Sequence, residues 1–261
     1  MRRPFALFFS VILGTTLVPG AYGQDARQRP ITVREGGVSE ALQSIFIPPL
    51  LNAPFTATVH TEWVKTMADG GSVTVTNHRR IARDSRGHIF QERATFSPKD
   101  SKTPSVISYI QIVDPDTHVW YDCFLFSQPH TCTLEDYGLS PAATYKPETV
   151  TTGPLPNHMG VSTHEDLGVR FVEGVATTGT RDSVKFNAGT FGNDRPLTTS
   201  REFWFAESLG FNLVSEVSDP RTGKQTFTVT DIALGEPDPK LFELPDGFAI
   251  VDHRASADEP K

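Results

Sequence analysis

Apolar and polar positions alternate along much of the chain, with the period of two that is typical of half-buried β-strands. In the clearest case, 55–65, the odd positions include Phe55, Ala57, Val59 and Trp63, while the even positions 56–62 are polar. Comparable apolar runs or alternation recur at 73–81, 88–96, 106–113, 119–123, 200–206, 211–217 and 224–232. The pattern therefore predicts a mainly β protein.

Turn-forming residues separate these strands over short distances. The segments 84–87, 114–117 and 219–223 are rich in Asp, Pro and Gly, and a Pro after Asp is preset for the second position of a type I turn. Strands joined by such short loops must be antiparallel, because a parallel neighbour requires a crossover of a dozen residues or more. We therefore expect an antiparallel meander, and strong curvature would protect its edges.

Helix is expected at two short places. Ser39 is a suitable N-cap for a segment in which Leu42, Ile45 and Phe46 share a face, and two prolines end that segment. Asp238 before Pro239 predicts a single helical turn over 238–242, because Asp is a good N-cap and Pro is tolerated at the first helical position.

The N-terminus has the composition of a secretory signal peptide. Arg2 and Arg3 precede an apolar run over 5–18, and the segment closes with the small residues Ala21 and Gly23 before Gln24. No second long apolar stretch follows, so we expect an exported protein, periplasmic or extracellular, that is not integral to the membrane. The sequence predicts a signal peptide over 1–23, an N-terminal segment with a short helix over 24–54, a single antiparallel β domain over 55–252 and a flexible tail over 253–261.

Charge argues against one class of function. The chain has 24 basic and 31 acidic residues and a formal net charge of −7. Nucleic-acid binding normally needs a basic stripe that neutralises phosphates, and here the basic residues are scattered among more numerous acids. We therefore expect no nucleic-acid partner.

Cys123 and Cys132 are the two cysteines of the chain. In an exported protein, two thiols nine positions apart are expected to pair as a disulfide. The alternatives are a redox pair, which usually has CxxC spacing, and a metal site, for which His118 and His130 are the histidines nearby in sequence.

Familiar catalytic and metal-binding motifs are missing from the sequence. It contains no GxSxG elbow, HExxH pair, phosphate-binding loop or EF-hand loop. His60 with Glu62 on one strand face, and His158 with the acidic run that starts at His164 in a predicted loop, are two possible metal-binding groups. Solvated surface residues are the favoured interpretation of both, so no metal or cofactor is expected.

Two Arg-Asp steps, Arg83-Asp84 and Arg181-Asp182, invite a catalytic interpretation. Adjacent residues of a strand point to opposite faces, so the members of each step cannot act together on one substrate from a regular strand. We interpret both steps as structural, and Asp84 as the first residue of a turn.

Large apolar side chains cluster in the strands near the C-terminus and in the strand at 55–65. Two interpretations stay open: the side chains fill a core, or they line an apolar pocket in a curved sheet. The candidate lining residues are Trp63, Phe203, Phe205, Phe211, Phe227 and Val229.

The C-terminal residues resemble the ending of LolA-like periplasmic lipoprotein carriers, and the chain as a whole resembles secreted proteins of soil bacteria. The resemblance is carried by 202–205 (EFWF), 210–213 (GFNL), 218–220 (SDP) and 239–248 (PKLFELPDGF). It implies an antiparallel sheet wrapped as an unclosed half-barrel, whose apolar concavity accepts acyl chains in the carriers and senses envelope signals in related regulators. The length, the scarcity of helix and the cysteine pair depart from the family pattern.

Three functions are compatible with these features. The first is a non-enzymatic envelope protein that binds a lipid or another apolar ligand in a concavity of the sheet. The second is an envelope module that meets a protein partner or senses a signal. The third is a secreted hydrolase with an unusual site around His158, His164 and Glu165, which lacks a recognisable nucleophile with its base.

Overall fold

A computed structural model describes residues 31–35, 38–42, 45–146 and 150–254 of the chain. The strands are β1 (Ile31–Glu35), β2 (Val38–Leu42), β3 (Phe55–Thr66), β4 (Ser72–Arg83), β5 (Ile89–Ala94), β6 (Ser97–Pro98), β7 (Ile107–Asp114), β8 (Val119–Phe124), β9 (Thr131–Asp136), β10 (Gly153–Pro154), β11 (Gly160–Val172), β12 (Val175–Phe186), β13 (Leu197–Ala206), β14 (Phe211–Asp219), β15 (Gly223–Leu234) and β16 (Ala249–Asp252). Two short 3-10 helices span Pro156–His158 and Pro239–Phe242.

The main sheet has 14 strands and does not close into a barrel. Its order is β10-β11-β12-β13-β14-β15-β3-β4-β5-β7-β8-β9-β16, with β6 paired to β4, and β1 and β2 form a separate hairpin. Two runs of consecutive antiparallel strands therefore meet at β15 and β3, which are also antiparallel. The predicted mainly β, antiparallel and unclosed fold with a few short helices is confirmed.

One face of the sheet carries the larger hydrophobic core. On β3 the buried side chains occupy alternate positions, including Phe55, Ala57 and Val59. Ile45 and Ile47, from the segment that precedes β3, pack against this face together with side chains of β14 and β15. The alternation seen in the sequence therefore becomes a buried face, which we call the core face.

Arg83 connects the segment before β3 to the core face by hydrogen bonds. Its guanidinium donates to the carbonyl oxygens of Pro48 at 2.9 Å, of Ala53 at 2.8 and 3.1 Å, and of Leu209 at 2.8 Å. The side chain also lies over the Phe55 ring, with 5.1 Å between the guanidinium carbon and the ring centroid. Burial lowers the pKa of Arg83 to about 10, so the group stays charged at neutral pH.

The opposite face of β4 to β8 carries a second cluster, formed by Ala82, Phe90 and Ile112. Leu241, Phe242 and Leu244, from the C-terminal segment, pack against it. Asp238 accepts a hydrogen bond from the backbone N–H of Lys240, so the helical turn predicted after Asp238 is confirmed with its cap. The last of the segments that carry the family resemblance, 239–248, thus supplies the side chains that pack on this second cluster.

Three predictions differ from the structure. The short helix predicted from Ser39 is wrong, because Val38–Leu42 is a strand paired with Ile31–Glu35. One strand is an exception to the predicted antiparallel meander, because β16 joins β9 in parallel. The loop predicted around His164 is wrong, because His164 belongs to the 13-residue strand β11.

The predicted signal peptide and the end of the tail, from residue 255, lie outside the described residues. His253 at the start of that tail donates its backbone N–H to Leu134 at 2.8 Å. In the described ranges, no helix is long and apolar enough to span a membrane.

Candidate functional site

Four of the six candidate lining residues are buried. Phe211, Phe227 and Val229 belong to the core cluster, and the Phe211 ring lies 5.0 Å from that of Phe55. Trp63 is buried on β3, and its indole N–H donates to the carbonyl oxygen of Thr222 at 2.8 Å. These four side chains are packed by the protein itself, whereas the other two, Phe203 and Phe205, are partly exposed.

Phe203 lies between the core face and a more open part of the sheet. The strand register places Phe203 opposite Ser215, Ser215 opposite Phe227, and Phe227 opposite Thr61. In the other direction Phe203 lies opposite Thr180 of β12.

The register shifts between Trp204 and Phe205, and beyond this shift the core residues are Ala206 of β13 and Val175 of β12. Because successive residues of a strand point to opposite faces, Phe205 and Thr178 lie on the face away from the core cluster.

At that end of the sheet, apolar side chains are exposed. Phe205 lies opposite Thr178, and Thr178 lies opposite Val169 of β11, so Val169 shares the face of Phe203 and Phe205. Phe171 follows on the same face, and the exposed fractions of Val169 and Phe171 are 72% and 74%. We call Val169, Phe171, Phe203 and Phe205 the β11–β13 patch.

Trp204 packs on the other face of these strands, opposite the β11–β13 patch. The guanidinium carbon of Arg170 lies 3.6 Å from the centroid of the Trp204 ring, and the ring packs against the backbone of Gly179. A Cβ at Gly179 would lie 2.7 Å from ring atoms of Trp204, so glycine is needed for this close approach. The stacked Arg170 and Trp204 give the patch a rigid backing.

Hydrogen bonds and ion pairs around Arg181 connect the same three strands. The indole N–H of Trp204 donates to Glu202 at 2.8 Å, and this bond, with the charge of Arg181, holds the pKa of Glu202 below its ordinary value. Arg181 also donates to Glu165 at 2.9 Å, and its pKa is raised, chiefly by the hydrogen bond to Glu202. Arg181 therefore connects β11, β12 and β13, in agreement with a structural role.

The second half of the core face is polar. Arg79 donates to Gln91 at 3.2 Å, Gln91 to Gln111 at 3.4 Å, and Gln111 to Asp122 at 2.9 Å. Burial and the nearby charge of Arg93 hold the pKa of Arg79 well below its ordinary value. This hydrogen-bonded row ties β4, β5, β7 and β8 together, while the apolar surface lies towards β11 to β15.

The remaining polar candidates are engaged in separate pairs. His164 Nδ1 lies 2.6 Å from Asp182, Glu62 accepts from Lys99 at 2.8 Å, and the rings of His60 and His78 are 6.2 Å apart. Asp84 contacts His88 rather than Arg83, as expected if the step Arg83-Asp84 is structural.

The predicted disulfide is confirmed. Cys123 and Cys132 are bonded, and they lie directly opposite each other on β8 and β9. The bond therefore closes the hairpin whose second strand also receives β16.

The sequence interpretation missed Val169 and Phe171. They alternate with Gly168 and Arg170, which is the period-two signal of a strand, but the run has few apolar positions. The buried glutamines and Arg79 were missed as well, because a polar residue at a core position breaks the alternation that reveals a strand face.

Comparison with known proteins found no matching family model and no matching curated protein. Solved structures do match, including the MucA/MucB complex of Pseudomonas aeruginosa, with 12% identity, a TM-score of 0.36, and coverage of 76% of this chain and 58% of that chain. The chain thus spans less than two thirds of that protein.

Two further matches are lipoprotein structures. The lipoprotein LppX of Mycobacterium tuberculosis is 12% identical, with a TM-score of 0.23 and coverage of 72% of this chain and 88% of that one. A Vibrio parahaemolyticus domain, described as an outer membrane lipoprotein-sorting protein, is 8% identical, with a TM-score of 0.26 and the same two coverages. The matches include the class that the C-terminal residues resemble. All three TM-scores lie below 0.5, so the functional argument rests on the chain's own residues.

Proposed function

We propose that this chain is a non-enzymatic binding protein of the cell envelope, and that the β11–β13 patch binds a lipid or another apolar ligand. The observation that carries the proposal is the exposure of Val169 and Phe171, 72% and 74%, beside the half-buried Phe203 and Phe205. Contiguous exposed apolar surface in a soluble domain usually marks a binding site. Because the first 23 residues are predicted to be an export signal, we expect this surface to lie in the envelope or outside the cell.

The energetics favour a ligand that covers the patch. Full burial of a Phe or Val side chain is worth about 1.5–3 kcal/mol, so covering Val169 and Phe171 alone supplies several kcal/mol. Arg170 and Trp204 hold the strands in place from the other side, which reduces the ordering cost of binding. An acyl chain is long, flexible and apolar, and it matches a stripe that runs across β11 to β13.

The hydrolase alternative has less support. His164 of β11 is its central residue, and Nδ1 of His164 lies 2.6 Å from Asp182 of the neighbouring strand β12. Glu165 accepts a hydrogen bond from Arg181, so both groups act within the sheet.

A protein partner is the second candidate, and one observation favours it. Within the described strands, β10 pairs with β11 at Val161 and Ser162, so the rest of the long strand β11 forms a sheet edge. An extended segment of a partner protein can add to such an edge. Crosslinking from residue 167 in cells should then trap one dominant protein, and a random set of neighbours would contradict this candidate.

The lipid proposal is tested by binding of a fluorescent fatty acid to purified protein. Phe203→Ser with Phe205→Ser should weaken binding at least tenfold, because two apolar contacts are lost. Phe126→Ser is the matched control, since Phe126 is 65% exposed outside the patch, and it should bind the probe normally. Unchanged binding by the double variant, or equal loss in the control, would contradict the proposal.

Native mass spectrometry of protein isolated from its own envelope without detergent identifies the natural ligand. We expect the wild-type chain to carry extractable lipid and the Phe203, Phe205 double variant to carry none. A wild-type chain free of lipid that also fails to bind the fatty acid would refute the proposed function.

A further inference from the structure

Two turns at the same end of the sheet bring three potential metal ligands together. His88 lies in the turn between β4 and β5, and Asp114 and Asp116 lie at the turn between β7 and β8. Nε2 of His88 lies 3.4 Å from Oδ1 of Asp114 and 3.6 Å from Oδ2 of Asp116. The ligand atoms of all three residues lie within 4.8 Å of one another.

These distances fit a shared cation better than a direct hydrogen bond. A nitrogen–oxygen hydrogen bond is usually about 2.7–3.2 Å long, and both separations from Nε2 exceed that range. Tetrahedral coordination with bonds of about 2.0–2.1 Å places two ligand atoms about 3.3–3.4 Å apart. The two separations from Nε2 of His88 are therefore close to those between ligands at the vertices of a metal tetrahedron.

The imidazole is already oriented for this role. Asp84 Oδ2 lies 2.6 Å from Nδ1 of His88, and Asp84 Oδ1 accepts the backbone N–H groups of Arg86 and His88. A carboxylate on the far nitrogen of a metal-binding histidine fixes the tautomer and raises the basicity of the ligating nitrogen. Asp84 thus leaves the lone pair of Nε2 directed at Asp114 and Asp116.

The carboxylates of Asp114 and Asp116 also have partners of their own. Asp114 accepts the backbone N–H groups of Asp116 and Thr117 at 2.9 and 3.1 Å, which fixes the turn. Asp116 is the most exposed of the three, and its Oδ2 pairs with Arg86, so a bound ion would replace this exposed ion pair.

We propose that His88, Asp114 and Asp116 bind one divalent transition-metal ion of the zinc class, with Asp84 positioning His88 and water completing the coordination. Imidazole together with carboxylate oxygens suits such ions. The bound ion would join the β4–β5 and β7–β8 turns. The site lies next to the C-terminal segment, because the ring of Phe242 is 6.1 Å from that of His88.

A similar group elsewhere in the chain provides an internal control. His164 has Nδ1 2.6 Å from Asp182 and Nε2 3.4 Å from Asp166, but the two carboxylates contact different ring nitrogens and, among the described residues, do not form a metal-binding group with His164. His164→Gln should therefore leave metal binding unchanged.

The test is calorimetric titration of the chelator-stripped full chain with Zn²⁺, together with native mass spectrometry to count bound ions. We expect one Zn²⁺ per chain, with binding lost in His88→Gln and Asp114→Asn. Asp84→Asn should weaken affinity by about 10–100-fold, the usual effect of removing such a supporting carboxylate. NMR should show Zn²⁺-induced shifts at the His88 imidazole and none at His164.

The conservative variant Asp116→Asn keeps the proposal testable if substitution at His88 prevents folding. Because Asp116 is 39% exposed, this variant should fold normally and lose at least tenfold in Zn²⁺ affinity. The proposal is overturned if the wild-type protein binds no Zn²⁺. It is also overturned if Asp116→Asn and Asp114→Asn both bind Zn²⁺ as strongly as the wild type does. Loss of binding in His164→Gln alone would move the site elsewhere and overturn it too.

Discussion

Arg83 donates a hydrogen bond of 2.8 Å to the carbonyl oxygen of Leu209, a residue 126 positions further along the chain. The bond joins the end of β4 to the turn between β13 and β14, which lie in different runs of the sheet. Arg83 therefore contributes to the attachment between the two runs.

Arg83→Met should lower the free energy of unfolding by about 3–5 kcal/mol, because three buried carbonyl groups lose their donor. Arg195→Met is the control. The side chains of Arg195 and its partner Asp194 are 84% and 83% exposed, so the loss of this ion pair should cost about 1 kcal/mol or less. Urea denaturation measures both, and equal losses would show that the contacts of Arg83 are not special.

Gly179→Ala should displace Trp204, because the new methyl group would lie 2.7 Å from the ring. We expect a loss of about 1–3 kcal/mol in the free energy of unfolding and a changed tryptophan fluorescence spectrum. Thr178→Ala, at the neighbouring position on the other face of β12, should leave the spectrum unchanged. A silent Gly179→Ala variant would argue against the packing of Trp204 on this glycine.

Protonation of His164 should stabilise the folded state. The hydrogen bond to Asp182 is the main reason that the pKa of His164 is raised above its ordinary value of 6.5. The stabilisation is therefore fully present below the unfolded-state pKa and is lost as the pH rises through the higher folded-state pKa.

NMR titration of the His164 imidazole provides the measurement. Its midpoint should lie above that of an unstructured histidine and should fall in Asp182→Asn. Asp166→Asn should lower it less, because Asp166 lies 3.4 Å from Nε2 rather than 2.6 Å. An unchanged midpoint in Asp182→Asn would contradict the proposed cause of the shift.

Removing the disulfide should cost about 2–3 kcal/mol, because the bond between Cys123 and Cys132 closes a loop across a sequence separation of nine. The double variant Cys123→Ala, Cys132→Ala should unfold at lower urea concentration than the oxidised wild type. Reductant should shift the wild-type transition by a similar amount and leave the double variant unaffected. A reductant effect on the double variant would assign the loss to another cause.

Alternation identified the strands with a regular apolar face. Phe55, Val59, Phe227 and Val229 fill such faces, and the positions of β3, β14 and β15 could be predicted from them. The run at 160–172 contains few apolar residues and faces solvent over much of its length, so its local sequence carries a weak strand signal. Such strands are held by their neighbours, which local periodicity does not report.

The same reasoning explains the mixed outcome at the candidate site. Alternation shows that Phe203 and Phe205 share a face, but burial depends on which distant segment covers that face. Ile45 and Ile47 pack into the core cluster with Phe211 and Val229, while Val169 and Phe171 stay exposed. The group of His88, Asp114 and Asp116 could not be read from sequence either, since it needs two turns placed side by side by the sheet.

The pairing of β15 with β3 sets an order on folding. Each run of the sheet is built from hairpins between consecutive strands and can form locally, but the boundary between the runs joins distant residues. The bond from Trp63 to Thr222, for example, spans 159 positions. Loop closure on this scale is slow. If the chain crosses a membrane from its N-terminus, one edge of β3 stays unpaired until β15 has also crossed. During that interval the unpaired edge is most open to aggregation and to binding by chaperones.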